Sequence, residues 1–341
     1  MAPEFRRYEH YEDQVRTRAG RRGSRPRTKE RPRHADAVAG RVVGVDRGRY
    51  TTLVDDRTVI AMKARELGRT GIVVGDEVAL VGDTSGSPDA LGRIVRVEPR
   101  MSVLRRTADD TDPVERVVVA NADQLAIVTA CADPKPRPRM IDRCLVAAYD
   151  AGLDPLLVLT KADLADPAPL LAAYEELDLP AVVTRRAEGG DGAEGDVLGL
   201  DILRDHLAER VTVLVGHSGV GKSTLVNALI PGTGRAVGVV NAVTGRGRHT
   251  STSAVALALP GGGWVVDTPG VRSFGLAHVD SSRLLSFFAD LEPGGADCPR
   301  GCSHDEPDCG LDAFVAAGGA GPHGGARLDS LRRLLRARGD R

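Results

Sequence analysis

The pattern of apolar and polar positions changes character along the chain. Between residues 41 and 99 the apolar residues come in short, interrupted runs: "GRVVGVDRGRYTTLVDD", "RTVIAMKA", "EVALV" and "GRIVRVEPR". Alternation with a period of two puts successive side chains on opposite faces of a strand, and the stretch 82–88 supplies a turn. Short strands at this spacing, within about 65 residues, predict a small β-barrel of the OB type. Periodicity by itself leaves an SH3-like barrel open. From about residue 115 the strands become mostly apolar and alternate with helical stretches. "QLAIVTA", "PLLVLT", "AVVT" and "VTVLV" read as buried strands. "RMIDRCLVAAYDAG", a segment near 168–177, "VLGLDILRDHLAE" and "KSTLVNALI" read as helices, the first ending at Gly152. Strand–helix alternation predicts a mostly parallel sheet covered on both faces.

The last of these strands runs into "GHSGVGKST", which satisfies G-x-x-x-x-G-K-[ST] in full. Glycines there let backbone N–H groups turn inward on phosphate oxygens, and the following helix adds the positive end of its dipole. Gly216, His217, Ser218, Gly219, Val220, Gly221, Lys222, Ser223 and Thr224 are the candidate phosphate-binding residues. Lys222 reaches toward the β- and γ-phosphates, and the Ser223 hydroxyl is a magnesium ligand. "VVDTPG" is the second part. A hydrophobic strand delivers Asp267 to its end, where a carboxylate can hold magnesium's water shell. Gly270 can offer its N–H to the γ-phosphate. Between the two lies the polar segment "GRGRHTSTS", where a magnesium-coordinating threonine is expected. Thr250 is preferred for that role over Thr252.

"VLTKADL" ends another strand, and it lies more than fifty residues before the phosphate loop. A carboxylate at Asp163 can accept from guanine N1–H and N2–H₂ together, a donor pair that adenine lacks. Lys161 can lay its aliphatic stem on the base, with Ala162 between them. Most loops of this kind begin with Asn; here the position is Thr160, whose hydroxyl can make one of the amide's bonds but not both. Both motifs stand in strand–loop context. The economical explanation is circular permutation: base recognition comes first, then the phosphate loop and the two switch segments. Chain termini that lie close together make such rearrangement tolerable.

Composition adds a metal and an anionic partner to this picture. "CPRGCSHDEPDC" brings Cys298, Cys302, His304 and Cys309 within twelve positions. Three thiolates and one imidazole form a closed tetrahedral set of the structural zinc kind, with no position left open for catalysis. Cys131 and Cys144 lie inside the strand–helix pattern and read as buried apolar residues. The net charge of -1 is unevenly spread. Residues 1–36 hold eleven Arg/Lys against six Asp/Glu, and residues 327–341 hold six Arg against two Asp. Basic ends suggest nucleic acid as partner. The first 36 residues are almost free of aliphatic side chains and predict a disordered basic tail. No apolar run is long enough to span a membrane and no secretory signal opens the chain, so the reading is soluble and cytoplasmic.

Together, the barrel, the permuted order, "GHSGVGKS", "GRHT", "DTPG" and the Cys–His cluster resemble the RsgA (YjeQ) family of small-ribosomal-subunit-dependent GTPases over roughly residues 38–338. The resemblance implies an N-terminal OB-type β-barrel at 37–106. It implies a circularly permuted α/β P-loop GTPase at 107–276 and a small C-terminal α-helical zinc-binding domain with a basic helix at 277–341. It also implies GTP hydrolysis stimulated by the small ribosomal subunit, late in that subunit's maturation, and release afterwards. Expected partners are the subunit, its rRNA and GTP or GDP, with no membrane and a monomeric chain. One zinc, and magnesium with GTP, are the expected cofactors. Ras-type enzymes orient the attacking water with a Gln after the switch II Gly; Val271 holds that place here and has no polar group. His249 of "GRHT" is therefore the candidate catalytic residue beside Lys222 and Thr250. An RNA-binding scaffold with a nucleotide switch but negligible turnover, and a GTPase that hands zinc to clients, are the rival readings. Thr160 and the tight cysteine spacing depart from the family pattern, and the Arg-rich N-terminal extension is not carried over from it.

Overall fold

Five strands close on themselves at the start of the described chain: β1 (Val38–Asp46), β2 (Arg49–Val54), β3 (Arg57–Lys63), β4 (Glu77–Gly82) and β5 (Gly92–Val97). The structure is a computed structural model. It describes residues 34–107, 115–187, 197–230, 254–268, 276, 279 and 281–339. The tail to residue 33, and with it His249, Thr250, Thr252, Gly270 and Val271, lie outside the described residues. The barrel order is β1-β2-β3-β5-β4 and back to β1, antiparallel except for β3 with β5. That one parallel pairing makes it an OB barrel, and no period-two pattern could have revealed it. Val42, Val54, Val59, Ala61, Leu80 and Ile94 fill the interior. Arg49, Met62 and Arg93 share one register row on the outside.

The barrel is not a separate bead. β1 pairs with β4 along Val38–Arg41, and a bulge between Val42 and Gly44 turns its second half away. Gly44 then pairs with Val255 of a strand far along the chain. A bulge bends a strand at the point where its partner changes, as here. The hairpin β6 (Val103–Arg106) and β7 (Arg116–Ala120) adds a second attachment. Its Ala120 N–H donates to Val74 C=O at 3.0 Å, and the Asn121 amide donates to Gly75 C=O at 2.9 Å. This hairpin was not legible in the pattern, because "VLRR" carries too little apolar alternation.

The second sheet runs through β8 (Gln124–Ala130), β9 (Asp154–Thr160) and β10 (Ala181–Val183). A short antiparallel pair, β11 (Arg185–Arg186) with β12 (Val197–Leu198), follows. The sheet is completed by β13 (Val211–Val215), β14 (Val255–Ala258) and β15 (Trp264–Asp267). Its order is β10-β9-β8-β13-β15-β14, parallel except for β14. Every residue of β8 is buried, as a strand covered on both faces must be. Leu125 and Ile127 face α1 (Pro138–Ala151), while Ala126 and Val128 face α3 (Leu200–Leu207) and α4 (Lys222–Leu229). A short α2 (Ala168–Ala172) and a 3₁₀ turn (Glu175–Leu177) occupy the helix expected near 168–177. The helix expected from Val197 begins only at Leu200. Gly199 takes φ +87°, and a Cβ there would stand 2.3 Å from Val183 C=O, so the chain turns before it coils.

The C-terminal part is helical: Ser281–Leu285, Gly310–Ala316 and Gly324–Gly339. Leu328, Leu331 and Leu335 lie at the three-and-four spacing of one helix face and pack into the cluster that contains Cys144 and Leu145 of α1. Each leucine so buried contributes about 2 kcal/mol. Several arginines of this helix, read from sequence as a surface for an anionic partner, also bond within the chain. Arg327 grips Asp290 through two bonds of 2.9 and 2.8 Å. Arg332 grips Asp312, Arg336 grips Asp305, and Arg333 donates to Ala173 C=O and lies over the Tyr174 ring. Four of the six arginines in 327–341 are thus already paired.

Candidate functional site

Parallel α/β sheets offer their ligand crevice at the carboxyl ends of the strands. Four strands end together here: β8, β9, β13 and β15 are neighbours, and the loops after β9, β13 and β15 carry the three motifs. After Val215 the chain wraps through 216–221 and enters α4 at Lys222. Gly216 must be glycine, because a Cβ would stand 2.3 Å from Val128 C=O on β8. The Lys222 ammonium donates to Gly216 C=O at 2.7 Å, so the lysine is folded back across its own loop. Burial pulls its pKa down, and the nearby Asp267 carboxylate opposes the shift.

Asp267 ends β15 opposite Leu214 of β13. Its Oδ1 is buried with no hydrogen-bond partner, and burial pushes its pKa up while Lys222 pulls it down. A buried carboxylate oxygen without a donor is an acceptor waiting for a cation or its water shell. With the exposed Ser223 hydroxyl on the same loop system, the donor set fits magnesium. His217 sits at the same mouth, held below the usual histidine range by burial and by the positive charges of Arg137 and Lys222.

On the base side, β9 ends in Thr160, which is buried at 4% exposure. Its hydroxyl donates to Val220 C=O in the phosphate loop at 2.6 Å. Lys161 turns the chain with φ +56°, and its ammonium donates to Asp133 C=O. Ala162 N–H donates to Thr184 C=O at 3.2 Å, and Asp163 Oδ1 accepts from the Arg186 N–H at 2.9 Å. A cavity of 250 Å³ opens here, lined among others by Thr160, Lys161, Asp163, Arg185 and Val197. A second cavity, of 480 Å³, lies over residues 216–219 and 221–224. Lys161, Arg186, Gly221 and Thr224 line both. The early aspartate and the late lysine therefore line adjoining cavities with four residues in common.

The far wall of the base cavity, Thr184 to Arg186 with Val197, was not foreseen. Its signal was present: "AVVT" is a parallel strand beside β9, so the residues after it had to arrive at the same crevice. Gly270 and the segment holding His249 and Thr250 lie outside the described residues.

The four predicted metal ligands do come together. One ligand atom from each of Cys298, Cys302, His304 and Cys309 lies within 4.8 Å of the others. His304 Nδ1 faces Cys298 Sγ at 3.5 Å and Cys309 Sγ at 3.9 Å. Burial pushes the Cys302 thiol up to about 12 and raises Cys309. Three sulfurs and one imidazole nitrogen grouped in this way fit a tetrahedral metal centre. Around it, Arg332 donates to His304 C=O at 3.0 Å, and Glu306 accepts from the Ser303 N–H and hydroxyl. These bonds hold Glu306 down to about 2.

A Walker-type loop, a strand-end aspartate and a carboxylate-bearing base loop, set on a parallel sheet in rearranged chain order, define a circularly permuted GTPase. Comparisons carry this further. The family model for the RsgA GTPase matches residues 97–277. The chain is 39% identical over 272 residues to the small ribosomal subunit biogenesis GTPase RsgA of Pseudomonas aeruginosa, covering 77% of this chain and 75% of that protein. It is 35% identical over 271 residues to the protein of the same name from Chlorobaculum parvum, covering 77% and 85%. The crystal structure of YjeQ from Thermotoga maritima superimposes with a TM-score of 0.63 at 26% identity, over 89% of this chain and 99% of that one. YloQ, described as a circularly permuted GTPase, gives a TM-score of 0.61 at 21% identity, over 90% and 97%. This chain belongs to the RsgA GTPase family.

Proposed function

We propose that this protein hydrolyses GTP on the small ribosomal subunit during the subunit's late maturation and leaves it after hydrolysis. The observation that carries the reading is the pair of adjoining cavities, one lined by Asp163 and the other by Lys222, which share Lys161, Arg186, Gly221 and Thr224. Asp163 accepts guanine N1–H and N2–H₂, and the stem of Lys161 covers the base. Asp163 already accepts the Arg186 N–H through one oxygen; a carboxylate has about four acceptor sites, so room remains. Residues 216–224 hold the phosphates, with Lys222 against the β- and γ-phosphates. Ser223, Asp267 and Thr250 would hold magnesium, which neutralises phosphate charge. Gly270 offers its N–H to the γ-phosphate. His249 orients the attacking water when the chain is on the subunit. The Cys₃His set would hold one zinc, which stabilises the C-terminal fold and takes no part in the reaction.

In this reading residues 1–36 are a basic tail, 37–106 the OB barrel, 107–276 the GTPase and 277–341 the zinc-binding helical domain. The chain works as a cytoplasmic monomer against rRNA and ribosomal protein. No helix among the described residues is long and apolar enough to cross a membrane.

GTP turnover measured with small subunits, with large subunits and without ribosomes tests the proposal. Stimulation by small subunits alone is expected, and His249→Ala abolishes it while GTP binding stays intact. Single-turnover hydrolysis that no subunit accelerates would favour a scaffold that uses the nucleotide only as a switch. The base assignment has its own test. Asp163→Asn replaces an acceptor with a donor, so GDP affinity falls by about a hundredfold or more and xanthosine diphosphate is gained. Retained GDP affinity in a nucleotide titration would remove Asp163 from the base site.

A further inference from the structure

Thr160 stands where the base cavity meets the phosphate loop, and its hydroxyl has one hydrogen. That hydrogen is directed to Val220 C=O at 2.6 Å. The other polar neighbour, Thr129 C=O at 3.3 Å, is also an acceptor. Swinging between them leaves the hydrogen engaged in either position. The side chain lies against Gly221, where a Cβ would sit 3.6 Å from Oγ1 and 3.8 Å from the methyl. What Thr160 can turn toward the cavity is carbon surface and an oxygen lone pair, and neither donates.

A nucleotide with its phosphates on 216–224 and its N1–N2 edge on Asp163 must pass its imidazole edge by Thr160. N7 on that edge is an acceptor. An asparagine at this place has two N–H bonds, one for Val220 C=O and one for N7; threonine has only the first. The Lys161 ammonium, the next donor along the loop, gives one of its three N–H bonds to Asp133 C=O. With the Lys161 stem laid on the face of the base, the ammonium is out of the plane in which the N7 lone pair points. We propose that this site recognises guanine by its N1–N2 edge and makes no hydrogen bond to N7, with Thr160 serving as a positioning residue that ties the base loop to the phosphate loop. The inference rests on the guanine reading given above, and its test separates the two.

Affinities of the full chain for GDP, 7-deaza-GDP and ADP are measured in wild type, Thr160→Asn and Thr160→Val. Wild type binds GDP and 7-deaza-GDP within about twofold of one another, because N7 contributes no bond. Thr160→Asn supplies the missing donor and prefers GDP over 7-deaza-GDP by about fivefold. Thr160→Val keeps the shape, loses the tie to Val220, and weakens both guanine ligands by the same factor, about three- to tenfold. A wild-type preference for GDP over 7-deaza-GDP above about fivefold, the worth of one neutral hydrogen bond, overturns the proposal. So does a Thr160→Val loss confined to GDP. Equal binding of ADP and GDP overturns the guanine reading beneath it, and is told apart because 7-deaza-GDP is not involved.

Discussion

Lys222→Ala lowers subunit-stimulated GTP turnover by about a hundredfold or more, the range seen when one preorganised electrostatic contact to a transition state is lost. The residue opens α4, so its position is set by the helix rather than by a flexible loop. It is half-buried, its ammonium rests on Gly216 C=O, and the Asp267 carboxylate is close enough to act on its charge. Phosphoryl transfer depends mostly on positioning and on neutralising charge at the phosphate oxygens. A cation out of bulk water does this far better than an exposed one, since its field is less screened. The substitution removes one hydrogen bond within the loop and no core packing. Thermal unfolding of the variant therefore stays near wild type, while nucleotide affinity and turnover both fall. Turnover within threefold of wild type, on equal subunit occupancy, would take Lys222 out of the catalytic assignment.

Removing the metal has the second large effect, and it is felt well beyond the metal. The ligand loop is fastened to the C-terminal helix by Arg332 on His304 C=O and Asp312, and by Arg336 on Asp305. That same helix is fastened to the nucleotide domain by Arg327 on Glu176 C=O, by Arg333 on Ala173 C=O and Asp142, and by the leucine face against α1. Structural zinc contributes about 10–16 kcal/mol of apparent binding free energy in small domains, enough to decide whether they fold. Chelation, or Cys309→Ala, lowers the thermal midpoint by about 10 °C or more. Amide exchange accelerates across Gly310–Ala316 and Gly324–Gly339 first, with α1 following where it loses its cover. GDP affinity changes little, because no ligand of the metal lines either nucleotide cavity. Ready exchange of the metal with amide protection unchanged would argue for a transferable ion and against a structural one.

The parts that were legible in the sequence are those that depend on neighbours along the chain. "GHSGVGKST" demands its glycines because backbone must approach phosphate, and "VVDTPG" demands an aspartate at a strand end. The Cys₃His set sits within one loop, so its spacing is nearly its geometry. Even the rearranged motif order could be inferred, since each motif carried its own strand. The stretch from Val197 was misread as helix throughout because Gly199 looks harmless until Val183 C=O is placed beside it.

Sequence alone determined the two barrel-and-sheet halves, the three nucleotide motifs and the metal ligands, all of which rest on periodicity or on local spacing. Tertiary structure decided which distant residues share a wall. It brought Arg186 to Asp163, the hydroxyl of Thr160 to Val220 across 60 residues, and Gly44 to Val255. It also gave Arg327, Arg332 and Arg336 of the basic C-terminal helix carboxylate partners in the same chain. The physical reason is common to all of these. A hydrogen bond or ion pair between remote segments depends on chain closure in three dimensions, and a charge in a sequence does not say whether its partner is solvent, nucleic acid or the same chain.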